Sequence, residues 1–387
     1  MADFDWLNVM GIGLFFAYIP MCVCDEKKLP DRHLVDELFN IPAPSTFLIF
    51  AVFMDKKKDI VLSGIRPTGF AHLGNYFGAI RNWVRMQDEY DCYYCVVDWH
   101  SLTTHPDTKE LKQSVFRLTA ELIGSGLDPK KCVLYNQSEV PEIAELYLYL
   151  NMLSYTGELE KTATFKDKVR QNPNNVNAGL LTYPVLQAAD ILIHRAVKVP
   201  VGKDQEQHIE MTRNFAERFN YRYGNVFPMP YSFNYGGDVT KIMSLDGTGK
   251  MSKSENQMNT LYLADDDEMI RKKIMKAKTD SGPTTPNSPK PIYIGGLFTL
   301  MKIVSSADTV DKFENDFNNC TIRYGDMKKQ LAEDMVKFIA PIRERISELQ
   351  QDEKYMKSVM QEGATKARAS AKATLQLVKD AMGLKYY

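Results

Sequence analysis

Residues 59–75 read DIVLSGIRPTGFAHLGN. The apolar run from Asp59 to Ser63 closes on Gly64, a loop rich in Gly and Pro follows, and a helical pattern then runs from Tyr76 to about Tyr90. A short apolar run bounded by turn residues reads as a buried strand. The order strand, loop, helix repeats further along. Tyr93–Asp98 (YYCVVD) is a second strand, a charged amphipathic helix spans roughly Thr108 to Gly124, and Lys131–Gln137 (KCVLYNQ) is a third strand. Strands alternating with helices predict an α/β fold, a doubly wound parallel sheet of Rossmann-like type. From Glu142 the pattern turns helical, interrupted by the polar loop Gln171–Asn177. A Gly-rich loop, DGTGKMSKSEN, occupies 246–256, and a charged helix Asp265–Lys278 and a Pro-rich connector Ser281–Pro291 follow it. The remainder reads as amphipathic helices, a helical C-terminal domain. The expected divisions are 1–53, an extension outside the fold; 54–240, the catalytic sheet domain; 241–290, the region of the Gly-rich loop; and 291–387, the helical domain.

In a parallel sheet, ligands bind beyond the C-terminal strand ends, beside helix N-termini. Pro67, Thr68, Gly69, His72, Gly74 and Asn75 stand there. Glycines let backbone approach a nucleotide closely, and His72 can donate to a phosphate oxygen. The loop is not G-x-G-x-x-G, which disfavours a dinucleotide. Gly249-Lys250 is followed by Met251 rather than Ser or Thr, so it is no P-loop either. In Lys250-Met251-Ser252-Lys253-Ser254 two lysines three apart, with two small hydroxyls, make a cationic clamp for phosphate. Either motif alone is compatible with a solvated turn; the two together at this separation are not.

Composition bounds the rest. Apolar residues make up 44% and charged residues 25%, as in a soluble globular protein, and the net charge of −1 supplies no global field for nucleic acid. Cys92 and Cys95 form C-x-x-C within a strand, where residues three apart face opposite ways, so no metal site is read there. Cys22, Cys24, Cys92, Cys95, Cys132 and Cys320 read as thiols in a reducing compartment. Residues 1–53 hold seven acids and three bases, which leaves the remainder at +3. Trp6 to Cys24 is apolar, but Asp3 and Asp5 stand where a signal peptide needs positive charge and Pro20 interrupts the run, so no membrane segment is expected.

The two loops resemble the signatures of the class I aminoacyl-tRNA synthetases. HLGN (72–75) is similar to their first motif and KMSKS (250–254) is identical to their second, with Asn75 in place of a final His, a variation of the tyrosine and tryptophan branch. SGIRPTG (63–69), VVDWHSLT (96–103), QSEVPE (137–142), GELEKTATFKDK (157–168), AGLLTYPVLQAADIL (178–192) and PVGKDQEQHIE (200–210) narrow the resemblance to the bacterial and organellar tryptophanyl type. It covers about Ile60 to Leu384 and leaves out residues 1–53. It implies activation of tryptophan by ATP with Mg²⁺, transfer to tRNA(Trp), a cytoplasmic homodimer, and a C-terminal domain that meets the anticodon.

The chemistry agrees with that implication. A carboxylate attacking the α-phosphate is already ionised, so catalysis must come from positioning and charge neutralisation. His72, Lys250 and Lys253 suit this, and Lys168 matches a further phosphate-binding lysine of the family. Arg66, Pro67, Thr68, Gly74, Asn75, Gly202, Lys203, Asp204, Ile242, Met251, Ser252 and Ser254 complete the expected ATP site, with Asp204 on the ribose. An indole needs one buried acceptor among apolar walls. Tyr183, Gln187 and Asp190 share one face of a helix expected to open at Thr182 and Pro184. Asp190 is the expected acceptor, with Tyr183, Gln187 and His100 beside it and Val199 and Val201 as walls. Gln187 stands where close relatives often carry Met, and Leu62 where some carry Phe. Two rivals are a tyrosyl enzyme of the same build and a non-catalytic paralogue. VGKDQEQH differs from the tyrosyl pattern G-G-x-D-Q-x-G-N, and His72, Lys250 and Lys253 are all retained. Arg343, Arg345, Lys366 and Arg368 are candidates for RNA contact.

Overall fold

The computed structural model describes residues 58–386 except 106, 172, 203–204, 237–240 and 253–255. The expectation for residues 1–53 lies outside them. Five parallel strands form one sheet in the order β3-β2-β1-β4-β5: β1 Ile60–Ile65, β2 Asp91–Val96, β3 Val133–Asn136, β4 Lys198–Val199 and β5 Tyr231–Ser232. The order reverses between β1 and β4, which puts the loop after β1 at the topological switch point where such sheets bind ligands. The first three strands are those expected. The last two are two residues long, too short to carry a period. The second strand stops at Val96 because Asp98 turns the chain: its Oδ1 accepts from Trp99 N (3.1 Å) and Ser138 N (3.0 Å), opening a short helix Asp98–Leu102.

Alternation along β2 divides the core in two. Cys92, Tyr94 and Val96 pack with Val61, Leu118 and Leu134 on one face, and Cys95 packs with Tyr135, Leu146 and Val185 on the other. The two cysteines therefore face apart, as the strand period requires. Burial pushes the Cys92 thiol up to about 11 and Cys132 up to about 12, the behaviour of inert core thiols.

Helix α1 follows the β1 loop as Leu73–Asn75, a π-helical turn Tyr76–Ile80 and Arg81–Glu89. Helix α2, Leu111–Gly124, crosses to β3, and α3, Glu142–Asn151, follows it. Helix α4, Ala163–Gln171, carries Lys168, and α5, Ala178–Ile193, carries Asp190. Contrary to the expected start at Thr182, α5 opens one turn earlier: the Asn177 side chain accepts from Leu180 N (2.9 Å), and Pro184 lies inside the helix. An Asn cap satisfies an orphan N–H that Pro cannot, so it sets the boundary.

Helix α6 is Glu206–Tyr223 and α7 Asp267–Met275; the carboxy-terminal part is all helix, α8 Ile292–Val304, α9 Ala307–Asn318, α10 Tyr324–Gln351 and α11 Glu353–Met382. Met327, Leu331, Met335 and Ile339 of α10 share the core of α1 and α2. Helix α11 lies directly on β3, where a Cβ on Gly363 would stand 1.8 Å from Leu134 O, so only glycine permits that approach.

Candidate active site

The two signature loops touch. His72 caps α1: its Nδ1 accepts from Asn75 N (3.3 Å), and its own N–H donates to Asn75 Oδ1 (3.2 Å). The Asn75 amide thus closes a reciprocal cap. A Cβ on Gly74 would lie 2.9 Å from the His72 ring and 3.1 Å from Met251 O, so Gly74 lets the second loop come against the first. Met251 is 1% exposed and its N–H donates to Ile242 O (2.9 Å), which anchors the loop behind the exposed Lys250. The stretch Leu261–Leu263 binds the first loop from the other side, through Leu73 N to Leu261 O and Leu263 N to Ala71 O, both 2.9 Å. Beneath the loop the fully buried Glu121 accepts from Ala71 N (3.0 Å).

Cations gather at the same end. Pro67 is buried, and Thr68 N donates to Arg66 O (2.8 Å) in a tight turn. Arg66 Nη1 approaches Thr104 Oγ1 (3.4 Å). Burial, and then the Arg66 guanidinium, hold the Lys168 ammonium pKa below its ordinary value. Two like charges held near each other in a partly buried place favour an anion between them. Gly202 O accepts from Gln205 N (2.9 Å) just ahead of α6. Lys203, Asp204, Lys253 and Ser254 lie outside the described residues, so their expected roles stay with the sequence.

Asp190 is 3% exposed and held from two elements. His100 Nε2 lies 2.9 Å from Oδ2, and Gln137 Nε2 donates to Oδ1 (2.8 Å) and Oδ2 (2.9 Å). A carboxylate offers about four lone-pair directions, so one further donor can be received. The Tyr183 ring meets His100 edge-on at 4.6 Å, which joins the first and last members of the predicted helix face. Gln187 lies between them on that face, and its Oε1 is buried with no hydrogen-bond partner among the described residues; the same holds for His100 Nδ1. Buried polar atoms left unpaired are costly and mark places where a ligand or water bonds. Val199 packs with Leu62, Ile191 and Ile209, with Val201 partly buried against them, an apolar patch at the end of β4.

Sequence reasoning missed Gln137. It is fully buried, bonds Asp190 through its NH₂, and receives His100 N–H on Oε1 (3.4 Å). Its position directly after β3, where ligand-facing residues of a parallel sheet sit, was the available signal. Of the candidate RNA contacts, Arg343 is engaged within the fold, donating to Asp265 O (2.8 Å) and Asp267 Oδ1 (2.7 Å), and Lys366 pairs with Glu362 (2.7 Å), whereas Arg345 is exposed.

The family model described as class I tRNA synthetases for W and Y matches residues 54–340. A tryptophan–tRNA ligase of Porphyromonas gingivalis is 56% identical over 84% of this chain and 100% of its own length, and one of Helicobacter pylori is 44% identical over 86% and 100%. The crystal structure of a tryptophanyl-tRNA synthetase from Campylobacter jejuni with ADP and tryptophan superposes with a TM-score of 0.75 at 33% identity, covering 84% of this chain and 99% of that one. A tyrosyl-tRNA synthetase from Aeropyrum pernix shares the fold, at 18% identity and a TM-score of 0.58 over 81% of this chain and 91% of its own.

Proposed function

The chain belongs to the class I tRNA synthetases for tryptophan and tyrosine, and from that premise we infer that it attaches tryptophan, not tyrosine, to tRNA. The observation that carries the choice is the full-length likeness to tryptophan–tRNA ligases, at identities the tyrosine enzyme does not approach. Tryptophan and ATP give tryptophanyl-adenylate and pyrophosphate, and the tryptophanyl group then passes to the 3′-terminal ribose of tRNA(Trp).

The residues divide by task. Asp190, held by His100 and Gln137, accepts the indole N–H, with Tyr183 and Gln187 on the same helix face and Val199 and Val201 as walls. The indole body supplies apolar burial and the single hydrogen bond supplies orientation. Arg66, Thr68, Gly74 and Asn75 meet the nucleotide phosphates, and Gly202, Lys203, Asp204 and Ile242 frame adenosine and its ribose. His72, Lys168, Lys250 and Lys253, with the hydroxyls of Ser252 and Ser254, neutralise charge that moves as pyrophosphate leaves. Mg²⁺ brought with ATP as part of the substrate would add to that neutralisation beside His72, Lys250 and Lys253.

Residues 291–387 form the anticodon-facing region, in which exposed Arg345 is a candidate contact. Two copies pair through the face of α3, where Leu148 and Met152 are 51% and 73% exposed beside a groove of about 350 Å³ lined by Trp99, Leu102, Tyr147 and Leu186. Exposed apolar side chains clustered around an apolar groove favour an interface. Among the described residues no helix is long and apolar enough to cross a membrane, and the reading places the enzyme in the cytoplasm.

The test is charging of tRNA(Trp) and tRNA(Tyr) transcripts, each with both amino acids. Tryptophan on tRNA(Trp) alone is the expected product; tyrosine on tRNA(Tyr) would overturn the reading.

A further inference from the structure

Among the described residues two lysines are buried almost completely, Lys273 (2% exposed) and Lys328 (8%). A buried ammonium is tolerated only where its N–H groups find acceptors. Lys328 closes the end of α7: its Nζ donates to Ala277 O (2.6 Å), Thr279 Oγ1 (3.1 Å) and Met275 O (3.4 Å). Lys273, on α7 itself, faces the segment Thr260–Asp265. Its Nζ donates to Thr260 O (2.8 Å) and to Asp265 Oδ1 and Oδ2 (2.8 and 2.7 Å), and lies 4.6 Å from the centre of the Tyr262 ring.

That segment touches both signature loops. At one end Thr260 Oγ1 donates to Ser252 O (3.0 Å), within the loop of Lys250. In the middle Leu261 and Leu263 pair with the backbone around His72. At the other end Asp265 Oδ2 accepts from Tyr262 N (2.9 Å), and Asp265 O accepts from Arg343 of α10 (2.8 Å). The ammonium of Lys273 therefore ties the two ends of this segment together, and the segment spaces Lys250 from His72.

We propose that Lys273 is a positioning residue for adenylate formation, acting through Thr260 to hold the Ser252 carbonyl, and so the Lys250 loop, in register with the His72 loop. The inference rests on the reading of Lys250 as a phosphate ligand. Lys273 touches no substrate. Its effect belongs in the rate of the chemical step, where a small misplacement of a charge is felt, and not in tryptophan binding.

The experiment compares full-length T260V, K273M, K328M and K250A, and the T260V/K250A double variant, by single-turnover adenylate formation normalised to titrated active sites. T260V removes only the hydroxyl that reaches Ser252 and keeps the carbonyl that Lys273 needs, so it stays informative if K273M folds poorly. T260V and K273M should lower the adenylation rate by about ten- to a hundredfold while the KM for tryptophan changes by less than about twofold. K328M should keep the wild-type rate per active site. In the K250A background T260V should add little further loss, because both act on one interaction. K250A slow with T260V at the wild-type rate, or losses from T260V and K250A that multiply in full, would overturn the inference alone. K250A at the wild-type rate would overturn the reading of the loop, and the inference with it.

Discussion

Asp190 and Lys250 stand at opposite extremes of the proposed site. Asp190 is nearly inaccessible, and its carboxylate is fixed by His100 on one side and Gln137 on the other. Lys250 is exposed, and among the described residues only its backbone is tied, by bridging to Met243. The difference fits the ligands proposed for the two. An indole is neutral and apolar, so its one N–H is recognised where water is excluded and the acceptor is already oriented. A triphosphate is charged and rearranges during reaction, so its partners are long cationic side chains at the mouth of the sheet. On the proposed reading, specificity resides in the rigid half and rate in the open half.

Substitutions in the two halves should therefore fail differently, and the open half gives the largest effect. Lys250→Ala should slow adenylate formation on the order of 10²–10³, as for loss of a donor to developing charge, with tryptophan affinity little changed. Single-turnover kinetics check this, and a normal rate with weakened tryptophan binding would merge the two halves. Asp190→Asn should damage the tryptophan-dependent constant by roughly 10- to 150-fold, from the loss of a hydrogen bond to a charged group worth about 1.5–3 kcal/mol. The ATP constant should hardly move, and an unchanged KM and kcat for tryptophan would remove Asp190 from the site.

A third expectation concerns the packing beneath the rigid half. His194, at the end of α5, is 1% exposed, stacked on Tyr93 at 4.4 Å, with Nε2 3.0 Å from Tyr135 OH and Nδ1 3.2 Å from Ser370 Oγ. Burial holds its pKa down to about 3. The folded value lies below the unfolded one of about 6.5, so the unfolded chain binds more protons in that window, and stability falls as pH drops from about 6.5 toward 3. The slope is about 1.4 kcal/mol per pH unit. Urea midpoints across that window should show a shallower dependence in His194→Phe than in the wild type, whatever the cost of the substitution itself; parallel curves would mean that His194 does not carry it. The smallest effect is expected from a chain starting at Met54, where the family match begins. Its charging rate and melting temperature should equal those of the full chain, and a large fall in either would make residues 1–53 part of the working fold.

What could be read in advance follows the same division. The loops proposed to meet phosphate are local in sequence, so Gly74, His72 and Lys250 could be picked out as candidates by residue type and spacing. Tyr183, Gln187 and Asp190 were legible because a helix repeats a face every few residues. The supports behind either half were not. Gln137 bonds Asp190 across 53 positions, and Lys273 serves Ser252 only through Thr260, contacts no periodicity encodes. Pro184 misled, because a proline suits a helix start and the true start lay at the Asn177 cap.

Pyrophosphate exchange into ATP, run with tryptophan and with tyrosine as the only amino acid, tests most directly that the buried Asp190 pocket selects an indole. Tryptophan should drive exchange and tyrosine should leave it at background in the wild type, and Asp190→Asn should depress the tryptophan signal while the KM for ATP stays in place. Exchange driven as well by tyrosine as by tryptophan would contradict the account.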